Sequence, residues 1–338
     1  MAATTLGDLF APNPYAAYAV VQSYMDADPV STTPLVDSGL LTANPIIAEL
    51  SAVPSDVLTL PYWNDIDAGI EPNYSNDVYE DVAVPRAIDG GQMLARRVMV
   101  NEGFAAMRLV KEVRMEDPLQ RIANRLTNYW INEAELRVSA TLLGVYQDDA
   151  AGAGDMAVDV GATPTFEGLI DAQMTLGDAF EGISGYLMHS AVFTPLIKAG
   201  LATSDTDPAT GRMVRRLNGL PVIVNDTASV VNVGGTNKYL TTLMGAGAFG
   251  YGMSEPSDAL EYEREAARGN GGGADTLWTR RNMIVHPLGY SFTSASITGN
   301  GTETVARGAG WTDLANPANW TRVVSRKKVP LAFMLSNV

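Results

Sequence analysis

The stretch from Asp117 to Gln147, DPLQRIANRLTNYWINEAELRVSATLLGVYQ, constrains this chain most. It is the longest segment with an unbroken helical pattern. Leu119, Ile122, Leu126, Tyr129, Glu133, Leu136, Ala140 and Leu143 recur at alternating three- and four-residue steps, so they share one face of a helix. Asp117 is a suitable N-cap and Pro118 suits the first helical position. Only Gly144 falls in its interior. At 1.5 Å per residue the helix is roughly 45 Å long, a girder more than a catalytic element. Its stripe is expected to pack on strands within residues 258–335, with Glu133 facing a subunit boundary.

Composition narrows what the girder can serve. The 338 residues suffice for about two domains, and 46% are hydrophobic. No run approaches 18 apolar residues, so no helical membrane span is expected. The opening MAATTLGDLFAPNP lacks the basic start and apolar core of a secretory signal. Cysteine is absent, which removes disulfides, thiolate metal sites and cysteine nucleophiles. His189 and His286 are the only histidines. The net charge of −15 weighs against DNA binding, because affinity for DNA comes largely from Lys and Arg on phosphates. It is compatible with a container for DNA.

Along the chain, residues 1–58 read as an arm, with a helix over Pro14–Asp28 followed by proline-punctuated segments. Val78, Val82 and Val84 alternate as in a strand, Asp89-Gly90-Gly91 signals a turn, and Met93 to Val100 reads as a second strand. Together they suggest a long β-hairpin, acidic at Asp77, Glu80 and Asp81 and basic at Arg86, Arg96 and Arg97. A short helix is expected over Phe104–Val113. Residues 148–163 are small and flexible in composition. From 164 to 252 helix and strand alternate. Helices are expected from Pro164 and over Ser190–Ala199, strands over Gly185–Met188, Leu220–Val224 and Tyr239–Met244, and a polar loop over 203–212. Residues 258–338 return to β patterns, including Leu260 to Arg264, Leu277–His286 and Val329–Leu335.

Few motifs carry chemistry. Gly245-Ala-Gly-Ala-Phe-Gly250 fits G-x-G-x-x-G after a strand, but no helix follows to bind a pyrophosphate. Asp65-x-Asp67-x-Gly69 imitates a calcium loop with its glycine one place early and Asn76 at position twelve. Neither histidine has a catalytic partner at useful spacing. Arg322, Arg326, Lys327 and Lys328 form a basic run, read as a solvated or subunit-facing cluster. No catalytic, cofactor or metal residue is expected.

Several stretches, taken in order, carry a resemblance. They are Ala95-Arg-Arg-Val98, Asp117-Pro-Leu119 with Tyr129-Trp130, Met188-His-Ser190, Gly245–Gly252, Glu263-Arg-Glu-Ala266, Gly269-Asn-Gly-Gly-Gly273, and Leu277–Asn282 with His286-Pro-Leu-Gly-Tyr290. The chain resembles the major capsid proteins of tailed bacteriophages with the Hong Kong 97-like fold. The resemblance implies an α+β chain: an N-terminal arm (1–59), an extended β-hairpin loop (60–100), a peripheral domain (101–160) with spine helix 117–147, an α/β axial domain (161–254), and a returning β segment of the peripheral domain (255–338). It implies a structural protein, not an enzyme, that self-assembles into pentamers and hexamers of an icosahedral phage head around double-stranded DNA. Implied partners are further copies, a separate scaffolding protein, a portal and a decoration protein. The implied location is the virion capsid, with assembly in the host cytoplasm. The founding member crosslinks through a loop lysine; residues 60–100 contain none, so that chemistry is absent. Asp77, Glu80 and Asp81 are expected to meet Arg264, Arg268, Arg280 or Arg281 of an adjacent subunit. An encapsulin-type compartment shell and a soluble α/β nucleotide-binding enzyme are the alternatives.

Overall fold

The computed structural model describes residues 47, 51–52, 55–64, 66, 69–114, 118–206, 213–226, 230–233, 235–294, 296–298 and 308–337. The helix expected at Pro14–Asp28, the cap at Asp117 and the acids Asp65 and Asp67 lie outside these residues.

With elements numbered in chain order, the first sheet holds β1 (Val57–Trp63), β2 (Gly90–Met107), β10 (Phe249–Ser254), β11 (Leu260–Glu265) and β12 (Ala274–Pro287). All its pairings are antiparallel. The expected strand over Val78–Val84 does not form. Val78 accepts a backbone hydrogen bond from Asp81 at 3.2 Å, which makes a turn. The partner of β2 is β1 instead, and Gly90 and Gly91 sit in the ladder opposite Trp63 and Tyr62. Pro72 and Pro85 each remove a backbone donor from the limbs of the loop, which weakens any ladder between them. The helix expected over Phe104–Val113 begins only at Arg108, as α1 (Arg108–Arg114). Residues 97–107 pair with β12 instead, where long-range pairing overrides local helical preference.

The second sheet runs β3 (Ala157–Asp159), β15 (Leu331–Ser336), β9 (Thr236–Gly245), β4 (Ile183–Met188), β7 (Leu220–Val224), β6 (Met213–Leu217), β5 (Ala202–Thr206), with β8 (Val230–Val233) also on β9. The polar loop expected over 203–212 is in part the β5–β6 pair. The C-terminal strand belongs to this sheet, between β3 and β9. Both faces of β15 are buried. Leu331, Phe333 and Leu335 enter one core cluster, while Ala332 and Met334 enter another. Helices α3 (Phe166–Met174) and α4 (Ser190–Lys198) cover the second face. Their starts follow capping chemistry: Thr165 Oγ1 accepts from the Gly168 amide, and His189 Nδ1 from the Ala191 amide.

The long helix is α2 (Pro118–Ala151). It runs one turn past Gln147, into the segment that reads as flexible. Its buried stripe is Leu126, Trp130, Ala134, Val138, Leu142 and Val145, one residue round from the expected one. Tyr129 is exposed, and Glu133, Leu136, Ala140 and Leu143 are half-buried. The 3.5-residue spacing of the expected stripe drifts against the 3.6-residue helix, and the large Trp130 side chain takes the inward place. The N-terminal half packs on the first sheet: Trp130 meets Val98 and Met283, and its indole donates to Thr279 Oγ1 at 3.1 Å. The C-terminal half packs on the second, where Tyr146 lies edge-on to Phe333. One helix therefore holds the two sheets together. Beside it lie the pair β13 (Tyr290–Phe292) and β14 (Trp320–Arg322), and the short α5 (Trp311–Ala315).

Candidate assembly surfaces

Between β1 and β2 the chain makes a long excursion, residues 64–89. Every described residue from Trp63 to Gly90 is exposed. Ile66, Tyr74, Val82 and Val84 are apolar side chains with no cover, and Tyr79 at the turn is 96% exposed. Water-facing apolar strips of this length mark interaction sites. The limbs are tied by side chains instead of a ladder. Arg86 donates to the carbonyls of Ile70 and Glu71 (3.4 and 2.6 Å), and Asn73 to that of Val84 (3.3 Å). The Asn64 amide closes the base on Asp89 at 2.8 Å. Asp77, Glu80 and Asp81 all lie at the tip. Asn76 donates to Asp81, while Asp77 and Glu80 have no ion-pair partner among the described residues.

The arginines expected to receive them lie on β11, β12 and the turn between. They are not equivalent. Arg280 pairs with Asp258 (3.1 Å) and Glu261 (2.8 Å), Arg281 with Glu255 (2.8 Å), and Arg268 with Glu265 (2.8 Å). Arg264 has no ion pair among the described residues. Among the described residues no ion pair joins the loop tip to these arginines within one chain.

The motifs with a chemical reading resolve into packing. A Cβ at Gly245 would lie 2.6 Å from the Gly182 carbonyl oxygen, one at Gly250 would lie 2.0 Å from Ile47, and Gly247 has φ +74°. The G-x-G-x-x-G run is therefore a tight connection into β10, a strand where a nucleotide site needs a helix. The basic run is engaged at home. Arg322 forks onto Asp155, which holds that carboxyl below the usual carboxylate range. Arg326 donates to Val329 and Thr175, and Lys327 pairs with Asp178 at 2.8 Å. Nearby Asp149, at the end of α2, is 3% exposed; burial pushes its carboxyl up. These contacts fasten the helix end to the C-terminal segment. Among the described residues no group of three His, Cys, Asp or Glu side chains is placed to hold a metal, and no helix is long and apolar enough to cross a membrane.

Glu133, expected at a boundary, has an internal task. It accepts from Arg137 Nε at 2.9 Å and from the Trp311 indole at 3.0 Å, and Arg137 also donates to the Ala309 carbonyl. This network lines a cleft of about 360 Å³ with Glu102, Tyr129 and Asp313. The approach of α5 to the helix was not readable from sequence; the signal was Gly144, where a Cβ would lie 2.1 Å from the Leu314 carbonyl oxygen.

This architecture matches known shells. The family described as major capsid protein 13-like (Gp13-like) covers residues 112–330. The major capsid protein of Bacillus phage SPP1 is 30% identical over 339 residues, 97% of each chain. Among solved structures, the acidic stable capsid structure of Helicobacter pylori bacteriophage KHP30 matches with a TM-score of 0.50 and 9% identity over 85% of each chain. Mycobacterium phage Adephagia matches with a TM-score of 0.50 and 12% identity over 94% of each chain. At those identities the structures speak to the fold, which is the α+β Hong Kong 97-like capsid fold. The sequence relationship speaks to the family and separates a phage coat from an enzyme or an encapsulin-type compartment: the chain belongs to the Gp13-like family, the structural major capsid proteins of phage heads.

Proposed function

We propose that copies of this chain close into pentamers and hexamers of an icosahedral head around double-stranded DNA, with the exposed loop laid over a neighbouring copy. The uncovered apolar strip from Trp63 to Ile88 carries this reading. Burying it only on assembly removes a large apolar area from water. In this reading residues 1–59 are an arm, 60–100 the extended loop, and 101–160 with β11 and β12 a peripheral domain. Residues 161–254, joined by β3 and β15, form the axial domain that meets its copies around the symmetry axes. The net charge of −15 suits a wall that must not hold its DNA contents tightly. The expected partners are a scaffolding protein, a portal and a decoration protein, with assembly in the host cytoplasm before the capsid becomes part of the virion.

Electron microscopy of the purified chain, alone and co-expressed with the neighbouring head proteins of its phage, tests this. Rings or closed shells support it. A chain that stays monomeric under every such condition contradicts it.

A further inference from the structure

We infer that the loop tip of one copy, Asp77 to Asp81, seats on β11, the exposed edge strand, of a second copy, on the side that also carries α2, with Tyr79 against Leu260 and Tyr262 and with Asp77 and Glu80 on Arg264. The inference rests on the loop docking on a neighbouring copy and says where it docks.

Four observations carry it. First, β11 alternates two kinds of side chain. Glu261, Glu263 and Glu265 hold Arg280, the Trp278 indole and Arg268. The alternate residues are Leu260, Tyr262 and Arg264, and the two apolar ones are 60% and 54% exposed. An apolar pair ending in a cation fits an aromatic knob flanked by acids.

Second, the charges match by elimination. Arg264 faces Asp275 across the ladder, but Asp275 is already paired with Arg108 at 3.2 Å. Asp275 is the one carboxylate beside two guanidinium groups and pairs with Arg108 alone, which leaves the charge of Arg264 unpaired among the described residues. At the tip, Asp77 and Glu80 leave surplus negative charge. Arg268, Arg280 and Arg281 are held by Glu265, Glu261 and Glu255. Recruiting them would break existing pairs of the β11–β12 ribbon.

Third, both surfaces are exposed throughout in the chain, so neither is covered internally.

Fourth, the geometry sends them apart. The loop leaves the sheet where Trp63 faces Gly90, whereas β11 lies beside the part of β12 that faces Glu102 to Met107. Twelve or more residues of β2 separate the two places, about 40 Å at 3.3 Å per residue. A contact between opposite ends of the same subunit is head-to-tail, and such contacts form rings when the rotation between copies closes.

The absence of native cysteine gives a clean test. Tyr79→Cys and Leu260→Cys are introduced together in the full chain, and assembled particles are oxidised and run on a denaturing gel. A ladder of crosslinked multimers is expected from shells. None is expected from unassembled chains, or from Tyr79→Cys combined with Ile197→Cys. Shells of the double variant that remain monomeric on the gel overturn the inference. Thiol labelling of Tyr79→Cys alone then separates the two levels. A thiol protected in shells means that the loop docks elsewhere. A thiol labelled as fast in shells as in free subunits removes the loop-docking reading itself. Should the cysteines prevent assembly, charge exchange decides. Arg264→Glu is expected to abolish shells and the added Asp77→Lys and Glu80→Lys to restore them; failure of the restoration contradicts the contact.

Discussion

His286 lies in β12 opposite Gly250 and is 3% exposed. Its Nε2 has no hydrogen-bond partner among the described residues. Burial lowers its pKa from 6.5 to about 4, so the folded chain holds it neutral. Above pH 6.5 both folded and unfolded chains carry it neutral. As pH falls below 6.5 the unfolded chain binds the proton first, so stability drops until about pH 4. The loss from this group approaches about 3 kcal/mol. Urea titrations at pH 7.5 and pH 4.5, on the native chain and on His286→Gln, check this: the pH difference should shrink in the variant. An unchanged difference would assign the acid sensitivity to other groups. From sequence, His286 has no catalytic partner at useful spacing, and in the fold it is buried in β12. The internal network of Glu133 was not legible, because its partner Trp311 lies 178 residues away.

At the scale of elements, the long helix was legible in extent and misread in facing. Its period identified it, but a stripe chosen by three- and four-residue steps is off by one residue when a tryptophan adjoins it. Strand pairing was the least legible. Val78, Val82 and Val84 alternate like a strand, yet no backbone ladder forms, because pairing depends on what lies opposite and not on the strand alone. The true partner, Val57–Trp63, was split between the arm and the loop. Gly144 shows the reverse case, a local weakness with a long-range reason. In an exposed helix interior, Gly→Ala gains up to about 1 kcal/mol. Here the added methyl meets the Leu314 carbonyl and the Trp320 indole, which is itself hydrogen-bonded to that carbonyl at 2.7 Å. Gly144→Ala is therefore expected to destabilise the chain by about 1–3 kcal/mol, the usual cost of overpacking. Thermal or urea unfolding measures it; a neutral or stabilised variant would mean that α5 does not sit against the helix.

At the scale of the whole molecule, two sheets are held by one helix that packs on each with a different half. The first sheet ends in a loop with no cover of its own, and the second is buried on both faces of its central strands. A rigid body with one uncovered apolar arm is stable alone only if the arm contributes little to the core. The described residues between Trp63 and Gly90, all exposed, satisfy that condition. The central claim is that assembly supplies the missing cover. Hydrogen–deuterium exchange of the wild-type chain, free and in assembled shells, measures this directly. The account predicts that amides of residues 69–89 exchange fast in free subunits and become strongly protected in shells, while those of β9 and β15 are protected in both. Equal, fast exchange of residues 69–89 in both states would contradict it.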